Sequence, residues 1–568
     1  TNNQQPTTNN QQPTTLLPTS EKSARQLFRE FFGHLEPRRR KQLGLLLLLM
    51  LIGSLAELVT IGAVVPFISL MAQPERAIDY PALQQLFAAF GWQDPDSLVL
   101  PMTLAFIAII ATSTGIRLLL TYASNKLVFA IGHDIGVKLY RVILQQPYAY
   151  HIKQNTSNVI ANVNKVQILV NAFLRPAMEG AVAVILSLAI LTALMIVDAV
   201  TALGAGLVFA VLYFGIIRLF RARLRKNSKV IAETQSTRIK SVQEGLGGIV
   251  DVILDANHPH YTREFARHDG RFRSAQAANA FLGQAPRFVV EAIGIAMIVS
   301  LAYMLSLQPG GIVAALPTLG ALALGAQRLL PLIQKIYAAW ARYSGNFHVF
   351  EDVLGALNLS VPQAQNRSTK QLPFEKHIEL DHIHFRYSID EAEVLRAIRL
   401  TVSKGLRVGI VGKTGSGKST LMGILMGLLE PTKGQILIDG TPIDETNRTA
   451  WQRHISHVPQ HIYLSDASIT ENIALGVKPE AIDHDRVRRS AVRAQIADFI
   501  EGHRQGYDTR VGERGVQLSG GQRQRIGIAR ALYRHADVLV FDEASSALDT
   551  ETETAVMNAV NQLDADLT

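Results

Sequence analysis

Long apolar runs separated by basic segments occupy the first 345 residues, and shorter alternating patterns follow them. The runs begin near residues 43, 101, 166, 199, 286 and 312. Each approaches or exceeds the roughly 20 residues that a helix needs to cross a bilayer. Arginine and lysine cluster at one end of these runs, as the positive-inside rule expects of a membrane protein. The pattern therefore predicts six transmembrane helices with both ends of the bundle in the cytoplasm.

Two helical patterns extend this picture beyond the bilayer. Between Glu21 and Leu35 the apolar side chains share one helical face, which predicts an amphipathic helix lying on the membrane surface; they are Leu27, Phe28, Phe31 and Leu35. The second span and the segment between spans four and five continue as helical patterns past membrane thickness. We therefore expect cytosolic rods that turn near residues 147–155 and 255–261.

Composition shifts along the chain predict four regions. Residues 2–15 contain NNQQPTT twice with no apolar side chain to form a seam, and residues 1–20 are predicted to be a disordered tail. Residues 21–345 predict the membrane domain with its amphipathic helix, residues 346–376 a linker, and residues 377–568 a nucleotide-binding domain. Within this last region Ile378, Leu380, Ile383 and Phe385 alternate as in a strand.

Charge and cysteine content narrow the function classes. With 0 cysteines, disulfides and thiolate metal sites are excluded. The net charge of +9 lies mainly at the ends of apolar runs, so we expect membrane lipids rather than nucleic acid as the partner.

Four arginines fall inside or at the edge of the predicted spans, toward their cytoplasmic side: Arg117, Arg175, Arg287 and Arg328. A charge at the centre of a membrane helix costs about 2.5 to 3.5 kcal/mol on insertion scales. We therefore expect Arg117, Arg287 and Arg328 to line a cationic substrate cavity, and expect this less of Arg175. Alternatively each reaches the inner headgroups or pairs locally, with Glu57, Glu179 and Glu291 as available counter-charges.

The stretch GKTGSGKST from Gly412 to Thr420 has the spacing of a phosphate-binding P-loop. Its glycines allow a tight turn of inward N–H groups at the start of a helix. Lys418 would reach the β- and γ-phosphates, and the Ser419 hydroxyl would ligate Mg²⁺. The apolar run Leu406 to Val411 is expected to be the preceding strand. A glycine-rich turn before an ordinary helix is the alternative, but strand, loop and helix occur in the order the chemistry needs.

Four further motifs follow the P-loop in a specific order. HVPQ ends in Gln460, and LSGGQ (residues 518–522) precedes a helical pattern from Arg523 to Leu532. VLVFDE delivers Asp542 and Glu543 from an apolar strand, and SALD ends at Asp549. Each motif is weak alone, but the ordered set is specific.

With these motifs, residues 377–568 resemble the nucleotide-binding domain of an ABC transporter, and the preceding spans resemble the membrane domain of ABC exporters with long intracellular extensions. The resemblance implies an α-helical six-span membrane domain followed by an α/β P-loop ATPase domain, truncated at its C-terminus. It implies ATP and Mg²⁺ as ligands, with Tyr387 stacking on adenine, Glu543 as catalytic base, and a homodimer in which LSGGQ of one subunit completes the site of the other. It also implies that RVGERG (residues 510–515) contacts the partner's intracellular loops.

The residues implied by this resemblance fall into three groups. Nucleotide binding is expected of Tyr387, Gly412, Gly415, Gly417, Lys418, Ser419, Thr420, Ser519, Gly520, Gly521, Gln522 and Asp549. Mg²⁺ is expected at Ser419, Gln460 and Asp542, and catalysis from Glu543, Lys418 and Gln460.

One expected feature is missing. The family places a γ-phosphate-contacting histidine on a strand after SALD, and none of the 16 histidines occupies that position. Either the sequence is a fragment of a longer protein or hydrolysis is impaired, and the absence of an initiator Met favours a fragment.

Three membrane stretches are similar to bacterial lipid-linked oligosaccharide flippases and related polysaccharide or glycolipid exporters: residues 56–72, 285–294 and 323–336. This resemblance implies an ATP-driven flippase for a phosphate- or diphosphate-linked glycolipid in the cytoplasmic membrane. A multidrug or peptide exporter of the same fold is the first alternative, although arginines suit an anionic cargo better than a cationic drug. A non-transport ABC ATPase and an ATP-gated channel are further alternatives. Membrane fractionation and bilayer conductance, respectively, would distinguish them.

Overall fold

The computed structural model describes residues 24–72, 99–197, 199–306, 311–361, 372–542, 550, 553–554 and 567–568. The chain divides into two compact units. The helical unit lies within residues 18–145 and 154–360. The mixed α/β unit lies within residues 146–153 and 361–568.

Eleven helices and one π-helical turn cover most of the described residues of the helical unit and of the turn at residues 146–153, and several of the helices are long. They are α1 (Ala24–His34), α2 (Pro37–Ala72), α3 (Val99–Leu144), α4 (Tyr148–Lys153), α5 (Thr156–Leu169), a π-helical turn (Val170–Leu174), α6 (Arg175–Val197), α7 (Ala199–Gly247), α8 (Ile249–Leu254), α9 (His258–Ser306), α10 (Gly311–Gly345) and α11 (Phe347–Leu357). Helices α3, α7 and α9 have 46, 49 and 49 residues. At 1.5 Å per residue each is roughly 70 Å long, more than twice the hydrocarbon thickness of a bilayer. The predicted rods are therefore present.

Four stretches within the described residues are long and apolar enough to cross a membrane, judged by length and composition: Pro37–Thr60, Leu100–Leu144, Thr156–Thr192 and His258–Met304. The fourth and sixth predicted runs lie within the helices α7 and α10.

Both predicted cytosolic turns are found. The first contains the short helix α4, after which Asn155 caps α5 by accepting from the backbone N–H of Ser157. The second lies between α8 and α9, where Ala256 adopts a left-handed backbone with φ of 50°.

The amphipathic helix α1 is confirmed, but its apolar face packs on protein. Leu27, Phe31 and Leu35 are 2%, 5% and 5% exposed within the core of the helical unit. The Phe31 ring lies 5.8 Å from the rings of both Phe173 and Phe350. Aromatic side chains from distant helices therefore cover part of this face, whereas Phe28 is 45% exposed, and the location of α1 on the membrane surface stays a prediction.

The segment predicted as a linker begins as folded structure. Its residues 347–357 form α11, whose apolar side chains belong to the same core as α1. Residues 362–371, which carry the polar and proline-rich part of the predicted linker, lie outside the described residues.

The mixed unit contains two sheets. Strands β1 (His377–Phe385), β2 (Leu395–Ser403), β3 (Lys433–Ile438) and β4 (Thr441–Pro442) form an antiparallel sheet in the order β2-β1-β3-β4. Strands β5 (Ile455–Val458) and β6 (Val538–Phe541) form a parallel pair. The helices named below are α12 (Lys418–Leu425), α13 (Arg448–Gln452), α14 (Ile469–Ile473), α15 (His484–Arg493), α16 (Ala497–Glu501) and α17 (Gly520–Tyr533). The alternation that predicted β1 is confirmed, since its four apolar side chains are all buried.

The strand predicted before the P-loop is absent. Residues 406–411 adopt no regular structure, and Val411 is 93% exposed. A strand requires a hydrogen-bonded neighbour. One edge of β6 bonds instead to Thr568, which exchanges backbone hydrogen bonds of 2.9 and 3.0 Å with Leu539 and Asp537.

Candidate nucleotide site and charged helices

The P-loop has the backbone geometry that its sequence predicted. Gly415 and Gly417 adopt φ of 83° and 93°, the left-handed region that favours glycine. Gly417 is also the residue before α12, and a Cβ there would lie 2.9 Å from a methyl group of Leu395. The loop therefore turns sharply into the N-terminal end of α12, whose positive end favours a bound anion.

Lys418 and Ser419 begin α12. The Lys418 ammonium donates to the carbonyl oxygens of Gly412 (2.8 Å) and Lys413 (3.3 Å). It therefore lies within the turn of the loop, where phosphate oxygens would compete with these carbonyls as stronger acceptors. The Ser419 side chain is exposed and available as an oxygen ligand.

Tyr387 is tied to the helix that follows the P-loop. Its hydroxyl lies 2.9 Å from Oγ1 of Thr420, which is 6% exposed, and its ring packs edge-on against Phe385 at 5.0 Å. The Thr420 hydroxyl therefore has a protein partner. Stacking of Tyr387 on adenine stays a prediction.

Gln460 and Asp542 emerge at the same end of the parallel pair β5–β6. Val458 pairs with Phe541 in the register, and the Asp542 N–H donates to the Val458 carbonyl at 3.0 Å. Asp542 follows β6 directly, and Gln460 comes two residues after β5. The structure thus brings these two predicted Mg²⁺ ligands to one sheet edge. Glu543 and Asp549 lie outside the described residues.

His457 is a neighbour of this edge that the sequence reasoning did not select. Burial lowers the pKa of His457, and the charge of Asp542 partly opposes this effect. The imidazole is therefore favoured in its neutral form beside the acidic residue. The sequence feature that could have identified His457 is its position within HVPQ, one residue before the end of an apolar strand.

LSGGQ forms the start of α17. The Ser519 side chain accepts from the backbone N–H of Gln522, and the Gln522 side chain accepts from that of Ser519, a reciprocal capping box. The helix begins at Gly520, three residues before the predicted start at Arg523. The N–H groups of Gly520 and Gly521 belong to the first turn and have no intrahelical acceptor, so they present a positive helix end.

RVGERG forms an irregular strap before α17. Ser468 pairs with Arg510 in an isolated bridge, and the Val511 N–H donates to Ala467 at 3.2 Å. Glu513 and Arg514 are exposed at its tip. Contact with a partner subunit stays a prediction.

Three of the arginines predicted in the spans pair with glutamates. Arg117 lies 3.4 Å from Glu57, Arg175 lies 3.0 Å from Glu179, and Arg287 lies 3.8 Å from Glu291. All three local counter-charges named from the sequence are therefore confirmed. The side chain of Arg328 lies outside the described residues, and convergence of the arginines on one cavity stays a prediction.

Helix register indicates how deep two of these arginines lie. Glu57, the partner of Arg117, lies roughly 21 Å along α2 from Leu43, where the uncharged run begins, at 1.5 Å per residue. In the antiparallel pair α7 and α9, Asn227 bonds to Asn279 at 2.9 Å, which places Arg287 level with Arg218 at the end of the α7 apolar run. Counted in this way, Arg117 lies deeper than Arg287, although the sequence placed both toward the cytoplasmic side.

Comparison with known families accounts for most of this architecture. Residues 77–315 match the family described as ABC transporter transmembrane region, and residues 395–546 match the family described as ABC transporter.

Two relatives and one solved structure resemble this chain over different shares of its length. The ATP-dependent lipid A-core flippase of Alkalilimnicola ehrlichii is 29% identical over 509 residues, covering 84% of this chain and 82% of the relative. The beta-(1→2)glucan export ATP-binding/permease protein of Rhizobium etli is 46% identical over 186 residues, covering 33% of this chain and 31% of the relative. A solved structure of a bacterial Atm1-family ABC exporter with ATP bound superimposes with a TM-score of 0.71 at 22% identity, covering 93% of this chain and 89% of that chain.

Proposed function

Because the chain belongs to the ABC transporter family and has the exporter fold, we propose that it is a flippase for a phosphate- or diphosphate-linked glycolipid, such as a lipid-linked oligosaccharide. The chain is a membrane protein with an ATPase that drives transport. The proposal concerns the cargo, the direction from the inner to the outer leaflet, and assembly as a homodimer.

The observation that carries the cargo assignment is the set of arginine side chains in the helical unit. Arg117 and Arg287 have side chains that are 61% and 62% exposed within one chain, although each has a glutamate nearby. Two guanidinium groups on membrane helices would offset the desolvation of a phosphate or diphosphate headgroup as it crosses. The names of the two relatives support a glycolipid as the class of cargo, since one name refers to a lipid and the other to a glucan.

The nucleotide site supports binding and orientation of ATP. The P-loop N–H groups and Lys418 would hold the β- and γ-phosphates, and the hard oxygen donors of Ser419, Gln460 and Asp542 match the preference of Mg²⁺. The metal would neutralise charge on the phosphates. Glu543, directly after Asp542 in the chain, is proposed to orient the attacking water.

Dimerisation is proposed because the chain carries one P-loop and one LSGGQ motif. In the family arrangement each ATP lies between the P-loop of one subunit and the α17 N-terminus of the other. Closure of two such sites would reorient the membrane helices, and hydrolysis would reset them.

The test is the ATPase rate of the full-length protein in lipid vesicles, with and without a polyprenyl-diphosphate oligosaccharide. We expect the glycolipid to raise the rate of the wild type, and we expect Arg117→Ala, Arg287→Ala and Arg328→Ala each to lower the ratio of stimulated to basal rate. Arg267→Ala is the matched control, because Arg267 is 63% exposed and also pairs with a glutamate one turn away.

Glu543→Gln, which removes the proposed catalytic base, gives the background ATPase rate of the assay. Stimulation that survives all three alanine substitutions would refute the role of the arginines. A wild type indifferent to the glycolipid would refute the cargo assignment and leave an exporter of another substrate.

A further inference from the structure

The cytoplasmic end of the α7 apolar run carries a group of exposed arginines. Arg218, Arg221 and Arg223 directly follow residues 199–217, and all three are exposed. They span roughly 7.5 Å along the helix axis at 1.5 Å per residue. One headgroup layer is about 5 to 8 Å thick, which is half of the difference between the full bilayer and its hydrocarbon core. The height of the three arginines matches this layer. We call these three residues the arginine collar.

The collar continues a face of α7 that is apolar and exposed. Leu207, Val211 and Phe214 are 67%, 63% and 67% exposed, and they recur at helical spacing on the side that reaches Arg218 and Arg221. Leu219, also in this region, is 73% exposed. An exposed apolar face that ends in exposed arginines is what a helix shows when it passes from acyl chains into headgroups.

The collar arginines differ from the other cations of the same helix. Among the described residues none of the three forms an ion pair, whereas three cations farther into the cytosolic extension do. Lys229 pairs with Glu233 (3.9 Å), Arg238 with Asp269 (2.9 Å) and Lys240 with Glu244 (3.5 Å). Lys226, one turn beyond Arg223, is also exposed and has no ion pair among the described residues, so the α7 cations without an ion pair lie within residues 218–226.

The neighbouring helix α9 has no unpaired acidic side chain among its described residues at the height of the collar. The Asn227–Asn279 hydrogen bond sets the register of α7 and α9, and Arg287 lies level with Arg218. The acidic residue in the next turn of α9, Glu291, pairs with Arg287 at 3.8 Å. The collar therefore lies in a locally cationic belt.

We propose that the arginine collar binds the phosphate groups of anionic phospholipids in the inner leaflet. These lipids are a partner of the transporter, distinct from its cargo, and the proposal does not depend on which molecule is exported. Planar guanidinium groups donate paired N–H bonds to phosphate oxygens, and a basic residue near an anionic leaflet raises lipid affinity roughly fivefold.

The test measures lipid selectivity directly. The full-length protein is reconstituted in phosphatidylcholine vesicles with a trace of spin-labelled phosphatidylglycerol or spin-labelled phosphatidylcholine, and the motionally restricted fraction of each label is compared. The variant is the triple substitution Arg218→Gln, Arg221→Gln and Arg223→Gln. The matched control removes the same charge from exposed cations that already have glutamate partners: Lys229→Gln, Lys240→Gln and Arg267→Gln.

We expect the wild type to prefer phosphatidylglycerol, and we expect this preference to weaken as salt is raised, since exposed charges are screened. The collar variant should lose the preference by at least tenfold, and the control should stay within twofold of the wild type. Inorganic phosphate at millimolar concentration should not displace the labelled lipid if the headgroup is held within the leaflet.

A collar variant that keeps the wild-type preference would overturn the proposal, and so would a wild type that shows none. The proposal would also be overturned if the substitutions changed only the fraction of dimer, because the collar would then face a second copy of the chain. If the triple Gln variant is not stably inserted, Arg221→Gln alone should lower the preference roughly fivefold. The triple Arg→Lys variant should retain most of it, because charge persists while the planar fork is lost.

Discussion

A buried ion pair joins α5 to α11 in the helical unit, and its two ends are unequally exposed. Lys165 Nζ lies 2.6 Å from Asp352 Oδ2, with side-chain exposures of 5% for lysine and 41% for aspartate. Removing the aspartate would leave a buried ammonium without a counter-charge, whereas removing the lysine would leave a carboxylate that water can reach. The two single substitutions should therefore have unequal costs.

The magnitudes follow from this exposure. Removing the partner of a buried charge costs about 3 to 5 kcal/mol. We expect a cost in that range for Asp352→Ala, which leaves the Lys165 ammonium buried and unpaired. Lys165→Met leaves a partly hydrated carboxylate and adds an apolar side chain, and should cost about 1 kcal/mol or less. At about 2 °C per kcal/mol for a large unit, the apparent melting temperature should fall by about 6 to 10 °C for Asp352→Ala. For Lys165→Met the expected fall is about 2 °C.

The assay is thermal unfolding of the purified protein in one detergent at a fixed scan rate, because unfolding of large membrane proteins is generally irreversible. The double variant Lys165→Met with Asp352→Ala should be close to Lys165→Met alone, since the buried charge is then gone. Equal costs for the two single variants, or a double variant as unstable as Asp352→Ala, would refute the reasoning from exposure.

Two further predictions concern packing and pH. In α3, a Cβ at Gly132 would clash with a methyl group of Val170 in the π-helical turn, so Gly132→Ala should destabilise by about 1 to 3 kcal/mol. Adding Val170→Ala should recover part of this loss of melting temperature, and additive losses in the double variant would contradict the contact. In the mixed unit, Asp439 has φ of 49° and accepts three successive backbone N–H groups at 2.6, 2.8 and 2.8 Å. Burial alone would raise the pKa of Asp439, but these hydrogen bonds lower it overall, so its contribution to stability is full above about pH 4 and is lost as pH falls through the lowered pKa. Asp439→Ala should cost about 1 to 3 kcal/mol in urea unfolding at neutral pH, and Asp439→Asn less, because asparagine tolerates this backbone and keeps an acceptor. The difference between wild type and Asp439→Asn should shrink below pH 4, and a difference that grows on acidification would contradict the sign.

The motifs of the mixed unit were readable from the sequence because their geometry is local. The P-loop glycines adopt the positive φ that a tight turn before a helix requires, and Ser519 with Gln522 closes a capping box within four residues. The glutamate partners of Arg175 and Arg287 also follow from spacing, since residues four apart are neighbours on a helix.

Elements whose state depends on distant partners were not predicted correctly. The apolar face of α1 indicated an amphipathic helix, but only the tertiary structure shows that the rings of Phe173 and Phe350 pack against Phe31 on that face. Residues 347–357 looked like part of a linker, and they form a helix because the same aromatic core receives them. Residues 406–411 are apolar enough for a strand, yet they pair with no strand among the described residues.

The sequence by itself determined which segments are long and apolar, where backbone must turn, and which polar groups lie within one helical turn of each other. These properties depend on periodicity and on the conformational preferences of single residues. Only the tertiary structure decided what covers each apolar face, and that Gln460 and Asp542 follow paired strands at the same end of the sheet. It also decided that Lys229, Arg238 and Lys240 of the α7 extension have acidic partners while the collar arginines have none among the described residues. The physical reason is that burial and pairing are properties of contacts between segments far apart in the chain, and hydrophobic association itself carries no direction.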